Sequence, residues 1–513
     1  MCSMLRDLPA GRQLSPKIAM RNRLILAMLA TVGLSGCIAT IKPVPLAPTT
    51  TPQSWEAELA DLQIEPIQGS LTLNEAIARA LKYNLDRRAK QIEQEIASGQ
   101  LETTLQEMLP KATAQLSQLN RSVSRQTWNS DRTGPSGFNS DRNHAVSDLG
   151  MSWSLLDFGL GYYNAKQAQE RVQIANERRR KLIHSLIQDV RSAYWRAACA
   201  QTMREALRTT IAEAELALED SRQIERERVR APTEALTYQK QLLDNLRLLE
   251  LIEQELAPAF VELATLINAP RGQPIVLVAD WPRLDATLET PIETLESMAL
   301  LHNADLREAR HHTRIAADET RKTLARMFPN LSFNIANKYD TDSYVVHQSW
   351  NEAGLHLSLN LMNLITGPAQ LRLAEAGVGL SDQRRMVMQM AVITQVHLGR
   401  LNWLNAQKQA TRAEQIWTVE NRLATLASAR EKALMRGRLE SVNAQASALL
   451  SQFRRYQAIS QVQVAESRLR AVLGVEFDDI AIDRVPLDEL IIKISASQSI
   501  ADALRTGTSD ATK

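Results

Sequence analysis

Between Ala165 and Arg230 the chain runs for 66 residues without a proline or a glycine. As one helix that stretch is ~99 Å long at 1.5 Å per residue. Leu186, Val190, Ala193, Ala197, Ala200, Arg204, Leu207, Ile211, Ala214, Leu218 and Ser221 recur along it in alternating steps of four and three, a heptad seam with one misfit, Arg204. Its small side chains permit close approach but bury little area each, so a lone hairpin would be weak and many parallel neighbours would help. The spacing predicts a turn at Ala231-Pro232-Thr233 and a return to about Asn268. A second long helix is expected over about Leu371 to Met435, with a turn at Arg436-Gly437-Arg438 and a return to Leu473. Only 19 glycines and 18 prolines in 513 residues agree with long helices rather than a loop-rich β protein.

The long hairpins belong to a repeat. Residues 83–111 align with 302–330 at an offset of 219, pairing Asn84 with Asn303 and Pro110 with Pro329. Ser152–Phe158 aligns with Ser358–Leu364 at an offset of 206, which also pairs Val190 with Val396 and Ala231 with Gly437. The sequence therefore divides into repeats at 71–276 and 290–476, with a linker at 277–289 between them. The first repeat carries 13 extra residues between Pro110 and Ser152, assigned to a surface loop at 127–143 rich in Gly, Asn and Asp.

Each repeat is expected to open with a helix capped by Thr72 or Thr290, each three residues before a glutamate. The helices run to Leu109 and Phe328, where Pro110 and Pro329 stop them. Alternating segments follow at about 111–127 and 144–158, and again at about 330–343 and 350–364. Two hairpins are too few strands for an independent sheet with closed edges.

The N-terminal region adds a destination. Arg21 and Arg23 precede an apolar run from Leu24 to Val32, then Leu34-Ser35-Gly36-Cys37, the layout of a secretory signal over 1–36 whose true start is Met20 on this reading. Leu-Ser-Gly-Cys resembles the bacterial lipobox, which implies lipidation of Cys37 and, with Ile38 next, delivery to the outer membrane. Residues 37–70, rich in Pro and Thr, read as a tether. A net charge of +2 gives no basic field for nucleic acid.

Taken in order, helix, Pro, strand hairpin and long helical hairpin, twice, resemble the TolC-type outer-membrane efflux protein family over about 70–476. Local strings such as LTLNEAIARAL (71–81), WSLLDFG (153–159) and MRGRLESVNAQ (435–445) carry the resemblance. It implies a mostly α fold with membrane β: a homotrimer whose strands close a 12-stranded outer-membrane barrel continued by a periplasmic α-helical barrel. Pro110 and Pro329 would mark the passage between the two. It implies no enzyme and no cofactor, but a passive exit duct for drugs or metals, joined to a periplasmic membrane-fusion adaptor and an inner-membrane pump. A type I protein-secretion duct, or a periplasmic helical scaffold without a barrel, are the alternatives. The tips, with Arg230, Ala231 and Pro232 on one hairpin and Arg436, Gly437, Arg438, Leu439 and Glu440 on the other, would close the duct or meet the adaptor. Asn443 fills the slot where family members often place an acidic ring, so Arg436, Arg438 and Glu440 are expected to supply polar contacts between protomers instead. Residues 477–513 read as an equatorial segment and a polar tail.

Three signals read as structural. His311-His312 with Glu308 supplies two ligands of uncertain aim, not a metal site. Arg178-Arg179-Arg180-Lys181 reads as a solvated face, and Cys199, in YWRAACA, as a small core residue.

Overall fold

A computed structural model describes residues 64–123, 125–128, 135–227, 232–270, 272–281, 290–433, 438–475, 482 and 485–496. From the N-terminal side run β1 (Ser70–Leu71), α1 (Leu73–Tyr83), α2 (Leu85–Gln106), β2 (Lys111–Asn120), β3 (Arg125–Trp128), β4 (Pro135–Ser140), β5 (Asn143–Ser154), α3 (Leu155–Arg226), α4 (Pro232–Leu256) and α5 (Ala259–Leu266). After β6 (Val276–Leu277) come α6 (Ile292–His302), α7 (Ala304–Ala325), β7 (Asn330–Asp340), β8 (Ser349–Ser358), α8 (Leu361–Lys432), α9 (Arg438–Leu473) and α10 (Leu487–Ala496).

The opening helix of each half is two helices, not the one expected. Asn84 and Asn303 adopt extended backbone, end one helix and cap the next. Their side-chain oxygens accept from Arg87 N–H at 3.0 Å and Leu306 N–H at 3.1 Å. Asparagine does this because its short side chain satisfies an amide that the new helix leaves unpaired. Thr72 caps α1 as expected, 3.2 Å from the Glu75 amide. Thr290 does not cap α6: Pro291 occupies that position and offers no side-chain acceptor.

The long helices start earlier than expected, at Leu155 and Leu361 rather than Ala165 and Leu371, and the strands end at Ser154 and Ser358 rather than 158 and 364. Ser154 and Asn360 set these starts by accepting from the amides of Asp157 and Met362, each at 3.0 Å. Gly159, Gly161 and Pro368 thus lie inside helices of 72 residues each, long enough to absorb a local cost of ~1 kcal/mol per glycine. Most of the predicted seam of α3 is buried; Arg204 is exposed and Met203 beside it enters the core.

One core gathers around the short parallel pair β1–β6. The Tyr194 hydroxyl lies 3.0 Å from the Leu71 carbonyl and 2.7 Å from that of Val278, and the Gln201 amide bonds both backbone groups of Leu277 at 2.9 Å. Leu81, Val190, Leu263 and Leu490 fill this core, so α10 packs against α1.

The strands form one antiparallel sheet in the order β2-β5-β7-β8. The β5–β7 register, Trp153 opposite Phe333 and Met151 opposite Ile335, joins the two hairpins. β2 stops at Asn120, short of 127. Within the expected surface loop, β3 and β4 pair as a separate two-stranded ladder with shifted register.

Candidate functional site

The register sorts the sheet into two faces. Ala112, Ala114 and Leu116 of β2, Leu149, Met151 and Trp153 of β5, Leu331, Phe333 and Ile335 of β7, and Ala353, Leu355 and Leu357 of β8 fall on one side. The opposite side carries Thr113, Gln115, Asp148, Ser152, Ser332, Asn334, Lys338, Glu352 and His356. Among the described residues nothing covers the apolar side: Leu116 is 80 % exposed, Leu357 69 % and Ile335 56 %. On the polar side Lys338 Nζ meets Glu352 at 2.7 Å. Among the described residues β2 and β8 pair along one side only, leaving two open edges.

Below the sheet, Pro110 and Pro329 each stand one residue before a strand, after helices that end at Gln106 and Ala325. The orphan carbonyls there find side chains from the long helices and their approaches. Trp153 Nε1 donates to the Met108 carbonyl at 3.3 Å, and Asn363 Nδ2 to the Arg326 carbonyl at 3.1 Å. Two glycines make the closeness possible. A Cβ on Gly161 would stand 2.8 Å from Met108 Cγ, and one on Gly367 2.9 Å from Met327 Cε. The sequence reading missed this contact, although Gly161 and Gly367 stand at the 206 offset and Met108 and Met327 at the 219 offset.

Above the tips, α3 and α7 are bound by a polar ladder. Arg178 reaches Glu308 at 2.8 Å and Lys181 reaches Asp305 at 2.7 Å. Glu177, with no exposed surface, lies 2.9 Å from both Arg180 and Arg307, and Arg180 also donates to the Gly474 carbonyl at 3.3 Å. The basic run is therefore an inter-helix contact rather than a solvated face, because α7 places carboxylates at matching intervals. His311 contacts Glu170 at 2.5 Å, and His312 stands 3.6 Å from Glu308. Burial pushes the Glu319 carboxyl up, but hydrogen bonds from Gln167 and Lys322 outweigh it and hold it below its ordinary value. Among the described residues no three His, Cys, Asp or Glu side chains converge as metal ligands.

At the tips, Arg230, Ala231, Arg436 and Gly437 lie outside the described residues, as does Cys37. Pro232 opens α4 and Arg438 opens α9. Leu439 packs with Ala214, Leu218, Leu242 and Val442, which ties the two hairpins together. Glu440 faces Arg430 across the turn at 4.0 Å, and Asn443 accepts a hydrogen bond from Asn245 of α4. Among the described residues no helix is long and apolar enough to cross a membrane.

Long helical hairpins below a small sheet with one apolar and one polar face define the fold class of outer-membrane efflux channels. The fold of the channel OprN matches at a TM-score of 0.63 with 17 % identity, over 78 % of this chain and 89 % of that one. Campylobacter jejuni CmeC, an outer membrane channel, matches at 0.62 with 14 % identity, over 96 % and 98 %. Neisseria gonorrhoeae MtrE, in its open state, matches at 0.60 with 19 % identity, over 78 % and 88 %. No curated protein matches in sequence. Residues 76–269 match the sequence profile described as outer membrane efflux protein.

Proposed function

We propose that this chain is one protomer of a homotrimeric outer-membrane exit duct. The observation that carries the reading is the uncovered apolar face of a four-stranded sheet with two open edges. In a bilayer every backbone group must be paired, so open edges demand partners and a closed barrel supplies them. Three copies, β2 of one beside β8 of the next, give 12 strands with the apolar side to lipid and the polar side to water. The helices then continue into the periplasm as a helical barrel, in two repeats at 71–276 and 290–476. Energy comes from an inner-membrane pump through a periplasmic adaptor, and the cargo is small molecules such as drugs or metals. Lipidation at Cys37 adds a second hold on the outer membrane. The hairpin ends, Arg230 to Pro232 and Arg436 to Glu440, form the periplasmic mouth, with Asn443 just inside it.

The test is the native mass of the protein from detergent-extracted outer membranes, with and without Cys37→Ser. A trimer that still needs detergent without the lipid supports the duct. A soluble monomer released by Cys37→Ser overturns it.

A further inference from the structure

We propose that the cleft between α3, α7 and α8 is an anion-binding station inside the duct. The cleft has a volume of about 490 Å³ and is lined by Arg171 and Gln167 of α3, His312 and Glu319 of α7, and Ser381 and Arg384 of α8. That volume falls within the ~300–1,000 Å³ of small-molecule sites.

Charge accounting singles the cleft out. The carboxylates on this side of α7 are already engaged: Asp305 by Lys181 at 2.7 Å, Glu308 by Arg178 at 2.8 Å and Glu319 by Lys322 at 2.6 Å. Arg171 and Arg384 have no carboxylate partner among the described residues, and both are exposed. Two guanidinium forks and His312 thus line one space, whereas the Gln167 amide already donates to the Ile315 carbonyl and Glu319, and the Ser381 hydroxyl to the Gly377 carbonyl. A carboxylate, sulfate or phosphate group matches the fork geometry with two parallel hydrogen bonds.

Helical phase puts the cleft on the inner side, which rests on the reading of a water-filled duct. Arg171 is nine residues from Tyr162 and nine from Arg180. Nine residues are about two and a half turns, so Arg171 points away from both. Leu155, Phe158 and Tyr162 are exposed, and the Phe158 ring stands 5.8 Å from that of Trp153 on the apolar face, so this side of α3 continues that face, while Arg180 is buried and donates to the Gly474 carbonyl. In a trimer the station would occur three times around the lumen and bias passage toward anionic solutes.

The experiment uses the full-length protein in detergent and pyrophosphate as probe, read by isothermal titration. Pyrophosphate should bind, and Arg171→Gln or Arg384→Gln should each weaken it about tenfold. Arg372→Gln, a charge-matched change outside the cleft, should leave it unaltered. In planar bilayers under a salt gradient, the reversal potential should show anion preference that the double variant loses. Absent binding, or binding equal in both variants, overturns the station. Lost binding with an unmoved reversal potential refutes its place in the lumen. A wild-type protein that never conducts refutes the duct instead, and the titration still decides the cleft.

Discussion

Gly474 shows how much one residue can fix. It ends α9 with φ at +69°, and a Cβ there would stand 2.3 Å from the His302 carbonyl oxygen. The obstacle is backbone, not a yielding side chain. Left-handed strain alone costs a non-glycine residue ~1–2 kcal/mol. Gly474→Ala should therefore cost on the order of 3 kcal/mol, seen as a lower denaturant midpoint, whereas Gly99→Ala, whose Cβ meets nothing within 4 Å, should be neutral or stabilising. Cys199 is fixed differently. It is 3 % exposed, beside Met203, and burial pushes its thiol up to about 12. Only the thiolate is nucleophilic. With Cys2 and Cys37 replaced by serine, the folded protein should resist iodoacetamide at pH 8 and react at once in guanidinium; alkylation of the folded chain at the rate of a free thiol would contradict this placement.

Among the elements, the contact of α3 with α7 is the one whose chemistry runs against expectation. Its charges are not equivalent. Glu177 is fully buried and serves two arginines, one of which, Arg180, is buried too. Removing one side of a buried pair leaves the other charge uncompensated, a loss of ~3–5 kcal/mol. Arg178 is half exposed and an exposed pair contributes under ~1 kcal/mol. Glu177→Gln should destabilise by about 3 kcal/mol, little changed by salt, while Arg178→Gln should fall below ~1 kcal/mol. Equal effects would mean that burial does not set the energetics. The sequence showed that the helix stops before Pro329, because a proline acts locally, but not that Asn303 divides it in two. It did not show the ladder, because which carboxylate meets Arg178 depends on how two helices 124 to 155 residues apart in the chain are set side by side. The same limit hid Gly161 against Met108: each residue was visible, and the close approach was not. The long seam was legible because its period is a property of one helix.

At the scale of the molecule, the sheet decides what the chain can be. Alternation was legible in the sequence, since each strand repeats apolar and polar residues regardless of its neighbours. Strand order was not, because the β5–β7 pairing that fuses the hairpins joins residues from separate halves. That fusion aligns most large apolar strand positions on one side, with Leu119, Val146 and Trp350 the exceptions, and it makes a face-swap test possible. Leu355 lies on the apolar side, 65 % exposed, and His356 next to it lies on the polar side. A cation on the lipid face costs ~2–4 kcal/mol near the bilayer midplane, and one in an aqueous lumen costs little. Leu355→Arg should lower the amount of assembled protein in the outer membrane and leave chain in the periplasm. His356→Arg, one residue away with the same arginine, should assemble normally. If both variants assemble alike, lipid does not cover the apolar face, and some protein partner must. If His356→Arg alone fails, the faces are reversed and the polar side cannot be the lining of a water-filled duct.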